Sequence, residues 1–208
     1  MDLKKEWFEL TEKYKIEDFT NSDIFIKIYR NYSKTNRFYH NINHIKELLS
    51  ILTSFEDKLK NKESVKFAIW FHDVIYKAWR KDNEDRSSKF AFDSLTKMNV
   101  DEETINKTCN LIILTKGHRT NSNDFDTKIF LDTDLSILGT DIETYNIYSE
   151  NIRKEYFFVP ENLYKKGRIS VLEKFLSMER IYKTDEMYNL YEVKAKTNIN
   201  RELEKLKK

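Results

Sequence analysis

Three glycines and one proline are all the backbone punctuation that 208 residues carry. Tight hairpins need glycine or proline at their turns, and a many-stranded sheet needs many of them. A chain this poor in both is expected to be all-α. Hydrophobic residues make up 39% of it and aromatic residues 14%, enough to fill a sizeable core. Apolar periodicity predicts helices near 2–15, 22–33, 41–57, 63–79, 83–98, 102–116, 128–138, 141–157, 161–182 and 185–206. Gly117, Gly139 and Gly167 each follow an apolar periodic segment, where a left-handed helix cap is expected. No repeat, low-complexity stretch or composition shift marks a boundary. One domain over 1–208 is the expectation, with a core at about 36–140 and C-terminal helices at 141–208 completing a pocket.

Bulk charge narrows the partners. Thirty-seven basic residues face 35 acidic ones, leaving a net charge of +2. That balance speaks against an extended nucleic-acid-binding face and leaves room for a local basic pocket. The single cysteine, Cys109, excludes an internal disulfide and a cysteine-based zinc cluster. The opening MDLKKEWFEL has no signal-peptide core, and no segment approaches the roughly 20 apolar residues of a membrane span. A cytoplasmic location without membrane contact is the expectation.

The chain has only four histidines, His40, His44, His72 and His118, all in its middle section. In AIWFHDVIY (68–76), His72 and Asp73 interrupt an apolar run. Val65, Ala68, Ile69, His72, Tyr76 and Trp79 share one helical face, which turns His72 toward the core. Burying an ionisable group is costly unless something pairs with it. In INHIKELLSILTSF, His44 lies on a line with Leu48, Ile51 and Phe55. His40 either precedes it on the same face or sits in the loop that enters the helix. In FLDTDLSILG, Asp134 shares a stripe with Leu131, Leu135 and Leu138. Asp132, about 200° from it around a helix, points elsewhere. Each of these residues has an ordinary structural role open to it, as a hydrogen-bonded core His or a capping Asp. Together they make a shared ion an equally economical explanation. Imidazole and carboxylate without sulfur suit Mn²⁺, Fe²⁺, Co²⁺, Ni²⁺, Zn²⁺ or Mg²⁺.

The ordered set His44, His72-Asp73 and Asp134 resembles the H…HD…D signature of the HD superfamily of metal-dependent phosphohydrolases. It is most similar to the stand-alone bacterial branch described as predicted metal-dependent HD phosphohydrolases. The resembling stretches are RFYHNINHI (37–45), AIWFHDVIY (68–76), DNEDRSSKFA (82–91), LTKGH (114–118), FLDTDLSILG (130–139), IRKEYFFV (152–159) and LYKKGRISVLEKFL (163–176). The HD doublet is a weak motif by itself; the ordered set is strong.

The resemblance implies an HD-type helical bundle with extra N- and C-terminal helices, in which His44, His72, Asp73 and Asp134 hold one divalent metal. Such an ion lowers the pKa of its water and polarises a phosphoryl oxygen, so Asp73 carries a catalytic role through it. His40 and His118 are expected near the substrate. Phosphate grips come from Arg37, Lys116, Arg119, Arg153, Lys166 or Arg168, with Arg37, Arg153 and Arg168 preferred because they lie in the resembling stretches. Glu84 is a candidate proton shuttle, or else a first-turn acid that favours its helix dipole. Tyr39 is a candidate for stacking on a base. The expected activity is hydrolysis of a small phosphate ester, with a nucleotide the favoured class and a homodimer compatible with it. Two other readings compete: a non-catalytic nucleotide sensor using the same pocket, and an interaction protein using its tyrosine-rich C-terminal helices.

Overall fold

The computed structural model describes residues 1–208 and is all-α. Ten α-helices follow one another: α1 (Leu3–Thr11), α2 (Asp18–Tyr32), α3 (Ile42–Thr53), α4 (Lys62–Phe71), α5 (Asn83–Lys97), α6 (Glu102–Leu114), α7 (Phe125–Asp134), α8 (Ile142–Glu155), α9 (Glu161–Leu176) and α10 (Asp185–Leu206). Most begin where a short polar side chain can satisfy the first orphan amides. Asp2, Asn41, Asn61, Asp101, Asp141 and Thr184 each accept an N–H from two or three residues ahead. The chain divides into two compact units, Met1–Phe130 and Leu131–Lys208, and α7 is the helix through which the division passes.

In the first unit, α4 is the central helix. Val65, Phe67, Ala68, Ile69, Trp70 and Phe71 are all buried, so its C-terminal half is apolar around the whole circumference, and α3, α5 and α6 pack against the helix. Trp7 of α1 meets Trp70 and Phe71 edge-on, at ring-centroid distances of 5.4 and 5.9 Å. Its indole N–H donates to Asn21 of α2 at 2.7 Å. Asn21 in turn donates to the Thr11 hydroxyl, so the lead-in helices are held by a closed polar chain inside an aromatic core. Asp126, at the start of α7, is fully buried and accepts the amides of Lys60 and Asn61 and the Lys107 ammonium.

In the second unit, a 3₁₀ turn at Ser136–Gly139 lies against α10. Asn198 donates to the carbonyls of Leu138 and Thr140, both at 3.0 Å. Arg168 of α9 and Glu202 of α10 form a buried bidentate pair at 2.8 and 3.0 Å, and Tyr145 of α8 donates to the same carboxylate.

Two expectations about local structure are corrected. The glycines do not supply left-handed caps, because no glycine has positive φ. That conformation falls on Lys15, Asn99 and His118 instead. Gly139 is required for space: a Cβ there would lie 2.6 Å from the Tyr191 backbone oxygen. The helix expected over 63–79 ends at Phe71. Trp79, expected on its buried stripe, is 60% exposed.

Candidate metal centre

Because α4 stops at Phe71, His72 is its C-cap residue and Asp73 opens the turn that follows. A residue at this position is freed from the helix surface while still rooted in the core. The His72 amide closes the last turn on Ala68 O at 2.9 Å, and the side chain is 1% exposed. Its Nδ1 lies 2.9 Å from the carbonyl of Ile69. A carbonyl oxygen only accepts, so Nδ1 carries the proton and the Nε2 lone pair is left facing outward from α4.

His44 comes from the first turn of α3, on the buried stripe that continues through Leu48. Its Nε2 lies 3.2 Å from Nε2 of His72. Two nitrogens held at about 2.1 Å from one ion are about 3.0 Å apart at a right angle and about 3.4 Å apart at the tetrahedral angle. The observed separation falls between those values. The Asp73 carboxylate lies beside His72, with Oδ2 3.3 Å from its Nε2. Asp134, the fourth expected ligand, is the last residue of α7 and belongs to the second unit. Two facing imidazoles beside a carboxylate are the residue types that bind borderline and hard divalent cations.

Helix α3 begins only at Ile42, so His40 sits in the loop before it. Its Nε2 lies 3.9 Å from Asp73 Oδ2. Three rings gather here. Tyr76 lies 4.3 Å from His40 at an interplanar angle of 31°, and Tyr39 lies 4.9 Å from both His40 and His44. Side-chain exposures of 20% at His40 and 16% at Asp73, against 1% at His72, show which side of the cluster faces solvent.

The arginines expected to hold phosphate are engaged by protein acceptors. Arg37 is 5% exposed. It donates through Nη1 to Asp73 O at 2.7 Å and His40 O at 3.1 Å, and through Nη2 to Val74 O at 3.0 Å. That is a grip on the turn carrying the doublet. Arg168 is 7% exposed and bound to Glu202 and the Tyr148 hydroxyl. Arg153 donates to Glu161 and to the carbonyls of Tyr156 and Val159, closing the C-terminal end of α8. Of the lysines, Lys116 pairs with Asp85 at 3.1 Å.

Glu84 lies half-buried in the first turn of α5, where its charge suits the helix N-terminus. His118 has φ 49° in the turn that closes α6 and is half-buried. Asp132 is buried away from solvent and accepts the amides of Lys183 and Thr184 and the Thr184 hydroxyl, all at 2.7 to 2.9 Å. Burial raises its carboxyl above the ordinary range against the pull of those donors. It fixes the entry to α10.

Tyr32 and Tyr76 are the site residues that sequence reasoning missed. Tyr32 is fully buried at the end of α2, and its hydroxyl accepts the Asp73 amide at 3.1 Å. Nothing in an apolar periodic pattern separates such a tyrosine from ordinary core. Comparison with known proteins adds no neighbour: no family model, curated protein or solved structure matches this chain.

Proposed function

We propose that the protein is a metal-dependent phosphohydrolase of the HD type, acting on a small phosphorylated substrate, with a nucleotide as the favoured class. The observation that carries this reading is the approach of the His44 and His72 Nε2 atoms to 3.2 Å, with Asp73 Oδ2 beside them. Two buried imidazoles facing each other through their ring nitrogens, next to a carboxylate, form an expensive arrangement for a core. A shared cation accounts for all of it.

His44, His72, Asp73 and Asp134 would hold the ion. When bound, a divalent cation supplies Lewis-acid charge to a phosphoryl oxygen and lowers the pKa of water near it. Everything else falls to the chain. Ile69 fixes the tautomer of His72, so its Nε2 is presented as a ligand at no further reorganisation cost. His40 stands on the solvent side, within ion-pair reach of Asp73, where it can donate to a phosphate oxygen or pass a proton at Nε2. Tyr39, His40 and Tyr76 offer ring surface beside that donor, which suits a substrate carrying a planar base. Glu84 and His118 stay in the proposal as a proton shuttle and a substrate contact.

Elemental analysis of the purified protein, followed by a nucleotide panel with Mn²⁺, Co²⁺, Ni²⁺ or Mg²⁺, tests the reading through release of phosphate or pyrophosphate. Asp73→Ala is expected to abolish turnover with the far-UV circular dichroism unchanged. Turnover retained in that variant rejects the assigned site. Calorimetric binding of a nucleotide without product replaces the hydrolase with a sensor. A folded protein that takes up no divalent cation and turns over nothing overturns the proposal.

A further inference from the structure

Arg37 is buried, and its charge is met by partial charges: three carbonyl oxygens and two ring faces. Its guanidinium carbon lies 5.0 Å from the Tyr32 ring centroid and 5.5 Å from that of Tyr76. The carbonyls belong to His40, Asp73 and Val74, which lie 3, 36 and 37 positions from Arg37 in sequence. One flat cation therefore joins the loop before α3 to the turn after α4. Tyr32 completes the hold by accepting the Asp73 amide. Asp73 is thus pinned at both its backbone N–H and its C=O, by side chains that do not approach the ion as ligands.

A turn is an unstable place to mount a metal ligand. Asp73 lies beyond the last helical residue of α4, so no helical ladder fixes its backbone. Without external restraint, ordering the turn would be charged to each binding event, since fixing one backbone residue costs about 1–2 kcal/mol. A planar fork with donors in fixed directions suits this task, and a flexible ammonium does not.

We infer that Arg37 and Tyr32 form a clamp that pre-organises the His72-Asp73 turn for the metal, making both of them positioning residues for the cation rather than substrate contacts. The inference rests on the metal-site reading above. Outer-shell partners of metal ligands typically account for 10- to 100-fold in affinity.

The test uses the full chain, Mn²⁺ alone as the probe, calorimetric affinity, and thermal unfolding of the metal-free protein. Tyr32→Phe keeps the ring and removes the hydroxyl that accepts the Asp73 amide. Arg37→Lys keeps the charge and removes the fork. Each is expected to weaken Mn²⁺ binding about 10-fold or more. For Tyr32→Phe, the metal-free melting temperature should stay within a few degrees of the wild-type value. A purely structural role would move the melting temperature and leave affinity alone. If Arg37→Lys does not fold, Tyr32→Phe decides the matter. Wild-type affinity in a folded Tyr32→Phe protein overturns the clamp while leaving the metal site intact. Absence of Mn²⁺ binding in the wild type overturns the metal site, and the clamp with it.

Discussion

The Nδ1 atom of His72 points at the carbonyl oxygen of Ile69, 2.9 Å away, and this one bond orders the protons of two imidazoles. His72 must carry its proton on Nδ1, so its Nε2 accepts. His44, 3.2 Å away, then donates its own Nε2 proton across the gap when no ion is present. A cation needs the lone pair of both Nε2 atoms. Ring ¹⁵N spectra should therefore show His72 as the Nδ1–H tautomer with and without metal. His44 should move from Nε2–H to Nδ1–H on titration with diamagnetic Zn²⁺. A His44 tautomer that ignores Zn²⁺ would remove it from the ligand set.

Metal binding should also register as stability. A ligand that binds only the folded chain adds about 2.7 kcal/mol at a concentration 100 times its Kd. For a chain of this length each kcal/mol moves the melting temperature by roughly 2–4 °C. Addition of a tight-binding cation to protein stripped with a chelator should raise the midpoint by about 5–10 °C, and a His44→Ala variant should lose most of that rise. Equal midpoints with and without every cation tried would argue that the imidazoles meet for packing alone.

The all-helical class was legible because glycine and proline scarcity acts on the whole chain at once. The inward placement of His44 and His72 was legible because each lies on an apolar stripe, and periodicity reports burial directly. The end of α4 was not legible: Val74 is as buried as the residues before it, so the apolar pattern runs on through a turn. The partners of the arginines were not legible for a different reason. A guanidinium fork fits a phosphate and a cluster of carbonyls equally well, and the carbonyls that Arg37 holds lie up to 37 positions away. In FLDTDLSILG, Asp132 turns to the start of α10, where it accepts the Thr184 amide.

The Arg168–Glu202 pair makes a prediction about acid stability. Burial by itself pushes the Glu202 carboxyl up, but the hydrogen bonds and charge of Arg168, aided by Tyr145, leave it below its ordinary value of 4.5. A carboxylate held low in the folded state contributes stability above its unfolded pKa, and that contribution disappears as pH falls through the folded one. Glu202→Gln should lose on the order of 3 kcal/mol near neutral pH, because it strands a buried guanidinium. Urea melts from pH 7 down to pH 3 should show the gap between wild type and variant closing below about pH 4.5. A gap that stays constant with pH would mean that the carboxylate's charge contributes nothing.

Two glycines in the second unit should respond in opposite directions to the same added methyl. Gly139 sits in the 3₁₀ turn against α10, where a Cβ would lie 2.6 Å from both the Cβ and the carbonyl oxygen of Tyr191. The nearest obstacle includes backbone, which cannot rotate away, so Gly139→Ala should cost about 1–3 kcal/mol as the turn and helix separate. Gly167 lies inside α9 with nothing within 4 Å of the same position. There the methyl meets no atom, and alanine is the better helix former by roughly 1 kcal/mol. Gly167→Ala should therefore raise the melting temperature by about 2–4 °C, from the same length scaling. Paired thermal melts of the two variants decide the matter. A stabilised Gly139→Ala protein would mean that the turn does not pack against Tyr191 as described, whereas a destabilised Gly167→Ala protein would mean that this face of α9 is covered in solution.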